Sequence, residues 1–182
     1  MRHAMLLLAG ALAACGSEPD VDVRNASVGE VAREVADASR GGGAMIRPGK
    51  WQSTMRIESV EAPGMPDSVR SAMRTVNERG QVFESCLTPE QAQRPAEDFF
   101  AGKGNACRYD HFTMAGGRID AKMRCSQGGM NQLMELDGNY SPTTYSMRMT
   151  SSTEGGEGPA AAVRMQMRVE AKRIGECDAK RA

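Results

Sequence analysis

The stretch TYSMRMTSSTEGGEGPAAAVRMQMRVEAK, residues 144–172, decides the fold. Over residues 144–150, Tyr145, Met147 and Met149 fall on one side of an extended chain, with Ser146, Arg148 and Thr150 on the other. Over residues 162–172, Val163, Met165, Met167, Val169 and Ala171 alternate with Arg164, Gln166, Arg168, Glu170 and Lys172. Period-two alternation marks a strand with one buried and one wet face. The intervening EGGEGP is rich in turn formers, so the spacing predicts a hairpin with Met149 opposite Met165 and Met147 opposite Met167.

The alternation extends backwards. Ile119, Ala121, Met123 and Cys125 share a parity, and a turn at residues 127–129 leads to Met130, Met134, Leu136 and Tyr140. The faces agree across successive turns, which one-residue slips would destroy. Residues 107–172 therefore read as consecutive antiparallel strands.

The first fifteen residues read as something else. A short polar start is followed by an apolar run at residues 4–14, too short for a spanning helix, that ends in Leu12-Ala13-Ala14-Cys15. This resembles a bacterial lipobox, which implies cleavage before Cys15 and acylation of its thiol. An uncleaved anchor or an ordinary signal peptide is the plainer alternative. Gly16 at the next position implies sorting to the outer membrane, and the acyl chains would hold the protein stably on a membrane surface.

Removing residues 1–14, whose one charged side chain is Arg2, leaves 168 residues, the size of a single domain. The remainder carries 22 basic and 23 acidic side chains, so no basic field exists for nucleic acid. Residues 16–26 read as a polar tether. Ser27 and Glu30 have the spacing of a capping box at the start of an amphipathic helix whose stripe is Val28, Val31, Ala32 and Val35, ended by Arg40 and three glycines. That helix packs on the domain, spaces it from the membrane, or docks a partner.

Trp51, Ser53, Met55 and Ile57 form the next alternating face, after a turn at Arg47-Pro48-Gly49. Residues 67–79 read as a helix with Val69, Met73 and Val76 on one stripe, and residues 81–87 as a strand with Phe83, Ser85 and Leu87 on one side. Thr88-Pro89-Glu90-Gln91 is a helix start with Thr88 as cap, so short helices are expected within residues 89–100, where Phe99 and Phe100 would plug one end of the sheet.

Pro48-Gly49-Lys50-Trp51, Pro63-Gly64-Met65-Pro66, Cys86-Leu87-Thr88-Pro89-Glu90, Cys107 with Tyr109, Gly116-Gly117, Cys125 and Arg173-Ile174-Gly175-Glu176-Cys177 together resemble the domain-of-unknown-function 3617 family of Gram-negative envelope proteins. The resemblance covers residues 47–177. The insert at 67–79 is longer than in many relatives, and the helix from Ser27 lies outside the family's domain. The resemblance implies an exported, often lipid-anchored β protein with no established activity.

After Cys15 four cysteines remain, Cys86, Cys107, Cys125 and Cys177, an even number suited to two disulfides in an oxidising compartment. Strand parity across a two-residue turn at Gly116-Gly117 sets Cys107 and Cys125 on opposite faces, which favours Cys86 with Cys107 and Cys125 with Cys177. No C-x-x-C spacing supports a metal or redox site. The single histidine after residue 15, His111, sits beside Asp110, and neighbours on a strand point to opposite faces. No nucleophile elbow or phosphate-binding loop is present, so no catalytic residue and no cofactor is assigned.

The methionines remain. Met55, Met123, Met134, Met147, Met149, Met165 and Met167 share the buried parity, together with Met114 and Met130. The plainer reading is a core filled with methionine; the sharper one is a deformable cavity lined by those seven for an apolar small molecule, since thioethers adapt to irregular shapes.

The chain is expected to be mainly β: a curved antiparallel meander sheet or small barrel of about seven strands with two to four short helices. Its divisions are a signal peptide at 1–14, a lipidated tether with a short helix at 15–44, the β domain at 45–177 and a tail at 178–182. The expected function is that of a membrane-anchored, non-enzymatic envelope lipoprotein with an apolar ligand. The alternative is an interaction protein that recruits envelope partners through its outer face or an edge strand.

Overall fold

A computed structural model describes residues 20–42, 45–64, 66–69, 71–72, 80–93, 106–127, 130–154 and 162–177. The strands are β1 (Val21–Ser27), β2 (Gly49–Glu61), β3 (Gln81–Leu87), β4 (Ala106–Ala115), β5 (Arg118–Gln127), β6 (Met130–Tyr140), β7 (Thr144–Glu154) and β8 (Arg164–Gly175). The helices are α1 (Val28–Gly42) and the short α2 (Pro89–Gln93). All eight strands form one antiparallel sheet in the order β1-β4-β5-β6-β7-β8-β2-β3, and the sheet does not close into a barrel. The mainly β architecture expected from alternation is the observed one. Residues 67–69 and 71–72 are helical; Phe99 and Phe100 lie outside the described residues.

The expected strand count is exceeded because residues 16–26 are not all tether. From Val21 they form β1, paired along β4 from Val21 opposite Met114 to Ser27 opposite Arg108. Only Val21 and Ala26 of this strand are buried, too sparse an apolar signal for period-two reading; its hydrogen bonds to β4 supply what its side chains do not.

Both capping boxes form. The Ser27 backbone N–H donates to Glu30 Oε2 at 2.6 Å and the Glu30 N–H donates back to Ser27 Oγ at 3.3 Å. The Thr88 N–H donates to Gln91 Oε1 at 2.9 Å, and the Gln91 N–H returns to Thr88 Oγ1 at 3.2 Å. Starting at that first cap, α1 turns its stripe inward: Val31 and Val35 are 0% exposed and join Phe112 and Met114, also 0% exposed, in the core. Burying four such side chains stabilises by roughly 1.5–3 kcal/mol each relative to exposure. The helix thus packs on the domain.

β4 and β5 meet through Gly116-Gly117, both at positive φ (55° and 73°), the backbone that a two-residue hairpin requires and that glycine adopts without penalty. From the turn the register runs Met114 opposite Ile119 and Phe112 opposite Ala121, then slips by one at a bulge between Tyr109 and His111. Beyond the slip Tyr109 faces Met123, and Cys107 faces Cys125 directly.

The bulge corrects the expected disulfides. A regular ladder from that turn would place Cys107 and Cys125 on opposite faces; the extra residue restores them to one face at a Cα separation of 4.0 Å, where they bond. Cys86 therefore pairs with Cys177, not with Cys107. Cys86 on β3 and Cys177 just past β8 flank the start of β2, so this bridge clasps three strands. Its sequence separation of 91 gives about 4–5 kcal/mol in the loop-entropy account, against about 3 kcal/mol for the separation of 18 between Cys107 and Cys125.

The β7–β8 hairpin keeps its expected face but not its expected partners. Met149 lies opposite Met167 and Met147 opposite Val169, a shift of two residues that follows from β7 continuing to Glu154. An even shift preserves parity, so every apolar residue still faces the same way.

Non-reducing peptide mapping is expected to recover Cys86 linked to Cys177 and Cys107 linked to Cys125; a Cys86–Cys107 peptide would contradict the bulged register. At the first cap, the Ser27 backbone and hydroxyl donors hold the Glu30 carboxyl below its ordinary range. Because the folded value is depressed, this stabilisation is present above the unfolded pKa and is lost as pH falls through the folded one. Ser27→Ala should cost about 1 kcal/mol near neutral pH by urea denaturation. Glu30→Gln should differ from the parent at neutral pH and converge with it as pH falls through the folded-state value, which lies below the ordinary carboxylate range.

Candidate functional site

The inward side chains stack into cross-strand rows. One runs Phe112, Ala121, Leu136, Met149, Met167, Ile57; the next runs Met114, Ile119, Gly138, Met147, Val169, Met55; a third runs Tyr109, Met123, Met134, Ser151, Met165, Val60. Where large residues meet across neighbouring strands the interior fills. Beside the small Ala121 it does not, and the inner face holds a partly open apolar cavity of about 180 Å³.

The cavity wall is formed by Tyr109, Ile119, Ala121, Met123, Met134, Leu136, Tyr145, Met147, Met149 and Val169, together with Glu135. Glu135 brings no charge inside, because its carboxylate pairs with Lys122 Nζ at 3.0 Å on the outer face. Gly138, outside the wall, is held to its size by β7: a Cβ there would come within 2.5 Å of the Ser146 carbonyl oxygen and 3.0 Å of Met147 Cγ. The wall is otherwise hydrocarbon and thioether, with two phenols. Burial pushes the Tyr109 phenol well above its ordinary range, so it stays neutral at any physiological pH. Its ring meets Phe112 edge-on at 5.6 Å. Tyr145 stacks on Trp51 at 5.6 Å, and its hydroxyl lies 3.4 Å from Ser53 Oγ. Trp51 is itself fixed by donating from Nε1 to the Arg47 carbonyl at 3.0 Å.

Of the seven methionines assigned from sequence to a ligand-lining face, Met123, Met134, Met147 and Met149 do line the cavity. Met55, Met165 and Met167 occupy the same rows further towards β8 and β2, half-buried and outside it. Tyr145, Leu136, Ile119, Ala121 and Val169 share the methionines' parity and line it too, whereas Tyr109 has the opposite parity and reaches this face only through the bulge.

The outer face is a lattice of ion pairs. Glu58 bridges Arg168 at 2.7 Å and Arg148 at 3.2 Å, and the Arg168 hydrogen bond, aided by Arg148, holds its carboxyl below the usual range. Asp110 and His111 do not point to opposite faces as regular alternation would have them; the bulge turns both outward. Asp110 pairs with Arg124 at 3.0 Å and His111 Nε2 with Asp120 at 2.6 Å, so the two belong to separate surface pairs. Such exposed pairs contribute roughly 0–1 kcal/mol each. Among the described residues, no group of three or more His, Cys, Asp or Glu is placed to hold a metal ion.

Truncating Met123, which is 3% exposed, to Ala should cost about 2–5 kcal/mol by urea denaturation with the disulfides intact. Met165→Ala and Met167→Ala should each cost less than half as much, because these side chains are already partly wet. Equal costs at all three positions would show that the cavity wall is no better packed than the open part of the sheet.

No curated protein and no solved structure gives a significant match to the chain. A family model does: that described as protein of unknown function (DUF3617) matches residues 46–177, 132 of the chain's 182. The match spans β2 to the end of β8 and both disulfides, and leaves β1 and α1 outside it. The chain is a member of the domain-of-unknown-function 3617 family.

Proposed function

We propose that the protein is a non-enzymatic lipoprotein of the cell envelope, acylated at Cys15 and held on the periplasmic side of the outer membrane, that binds a small apolar molecule inside its sheet. The observation that carries the ligand is the cavity of about 180 Å³ walled by four methionines and apolar neighbours. An engineered apolar cavity of about 150 Å³ stays dry and takes up benzene or xenon, so a space of this size suits one ring or a short chain rather than a whole lipid. Methionine walls adapt to guests of different outline. The anchor reading rests on the residues preceding Cys15. Five residues, 16–20, then separate the acylated cysteine from β1, at most about 20 Å of extended chain, so the domain would ride close to the bilayer.

Partner recruitment is the second reading, and one observation favours it. On β3, the last strand of the sheet, Val82 is 62% and Phe83 46% exposed, as an edge that receives a peptide strand would be.

Native mass spectrometry on a Cys15→Ser chain, exported and purified without detergent, tests the ligand. An added mass of one small organic molecule, lost in organic solvent, is expected; a bare chain that also fails to take up added benzene would defeat the reading. In cells, the parent chain should fractionate with membranes and Cys15→Ser should be released; membrane retention of that variant would contradict the anchor.

A further inference from the structure

One of the cavity's two phenols, that of Tyr145, meets a second hydroxyl. Tyr145 forms part of the cavity wall, and beyond the ring, across the small Ala171, the phenol meets Ser53, which is 1% exposed. The contact of 3.4 Å is long for two hydroxyls, which prefer about 2.7–2.8 Å. Among the described residues this is the one hydrogen bond drawn to the Ser53 side chain. Two hydroxyls hold two protons, and one proton suffices to link them. The pair therefore always has one donor left over, beside a serine that is itself buried.

We infer that the guest is an apolar molecule carrying one uncharged hydrogen-bond acceptor, such as the carbonyl of a ketone, ester or amide, received by the Tyr145 hydroxyl. This rests on the apolar-ligand reading and names its chemistry. The apolar body fills the space between Met123, Met134 and Met147, and the acceptor takes the spare proton. A carboxylate is disfavoured: no cationic side chain lines the cavity among the described residues, and one neutral donor does not offset the desolvation of a charge. A pure hydrocarbon fits the space but leaves the donor unmade.

Three probes of similar outline separate these cases on the Cys15→Ser protein, by calorimetric titration: cumene, acetophenone and benzoate. Acetophenone is expected to bind about five- to tenfold more tightly than cumene, the usual yield of one neutral hydrogen bond, and benzoate not to bind measurably. Tyr145→Phe keeps the ring stacked on Trp51 and should bring acetophenone down to the level of cumene, with cumene unchanged. Equal affinity for cumene and acetophenone would overturn the inference while leaving the apolar cavity as a binding site. Binding of none of the three would defeat both. Benzoate binding as well as acetophenone, or loss of the preference in Tyr109→Phe instead of Tyr145→Phe, would overturn the assignment to the Tyr145 hydroxyl.

Discussion

An antiparallel sheet with one apolar face must cover that face, and a sheet that stops short of closure cannot cover it with itself. Here the cover over β1 and β4 is α1, whose Val31 and Val35 seal Phe112 and Met114 from water. That helix and the strand before it lie outside the part of the chain that matches the family, yet they are built into the same core. Towards β8 and β2, Trp51, Ser53 and Ala171 are buried at one end, while Met55, Met165 and Met167 are only half-buried. The cavity lies between the two regimes. Its position follows from packing: Ala121 is too small to fill its place in its row between Phe112 and Leu136.

The bulge at Asp110 is the second determinant. By adding one residue to β4 it turns Tyr109 and Phe112 both inward, to meet edge-on, and it brings Cys107 opposite Cys125. It also sends Asp110 and His111 outward to separate partners. Nearby on β1, Asn25 takes a left-handed backbone (φ 50°) between the residues that pair with His111 and Tyr109, and Arg108 donates to its side-chain oxygen at 2.9 Å. One local irregularity thus sets the disulfide pattern, one wall of the cavity and the pairing of the one histidine beyond Cys15.

What could be read from the residues follows the same physics. Alternation is a strong signal where one face is buried and the other charged, so β5 to β8 were legible with their faces, and both capping boxes were legible because each is a spacing of specific donors and acceptors. β1 was not legible: two buried residues in seven give no period, and the strand exists because β4 offers it a ladder. The bulge was not legible either, since no glycine marks it and a lone aspartate is equally at home on the wet face of a strand, and the disulfide assignment failed with it. For the site, methionine identity pointed to the right face but not to the right place on it. The hollow lies beside the small Ala121, flanked by large residues of the neighbouring strands, a relation visible only once the register is known.

A crystal structure under xenon pressure tests whether the apolar cavity on the inner face of the sheet admits a guest. Xenon density is expected among Met123, Met134 and Met147, with the surrounding side chains undisplaced. A structure without xenon, in which those side chains have collapsed over Ala121, would rule out the binding site.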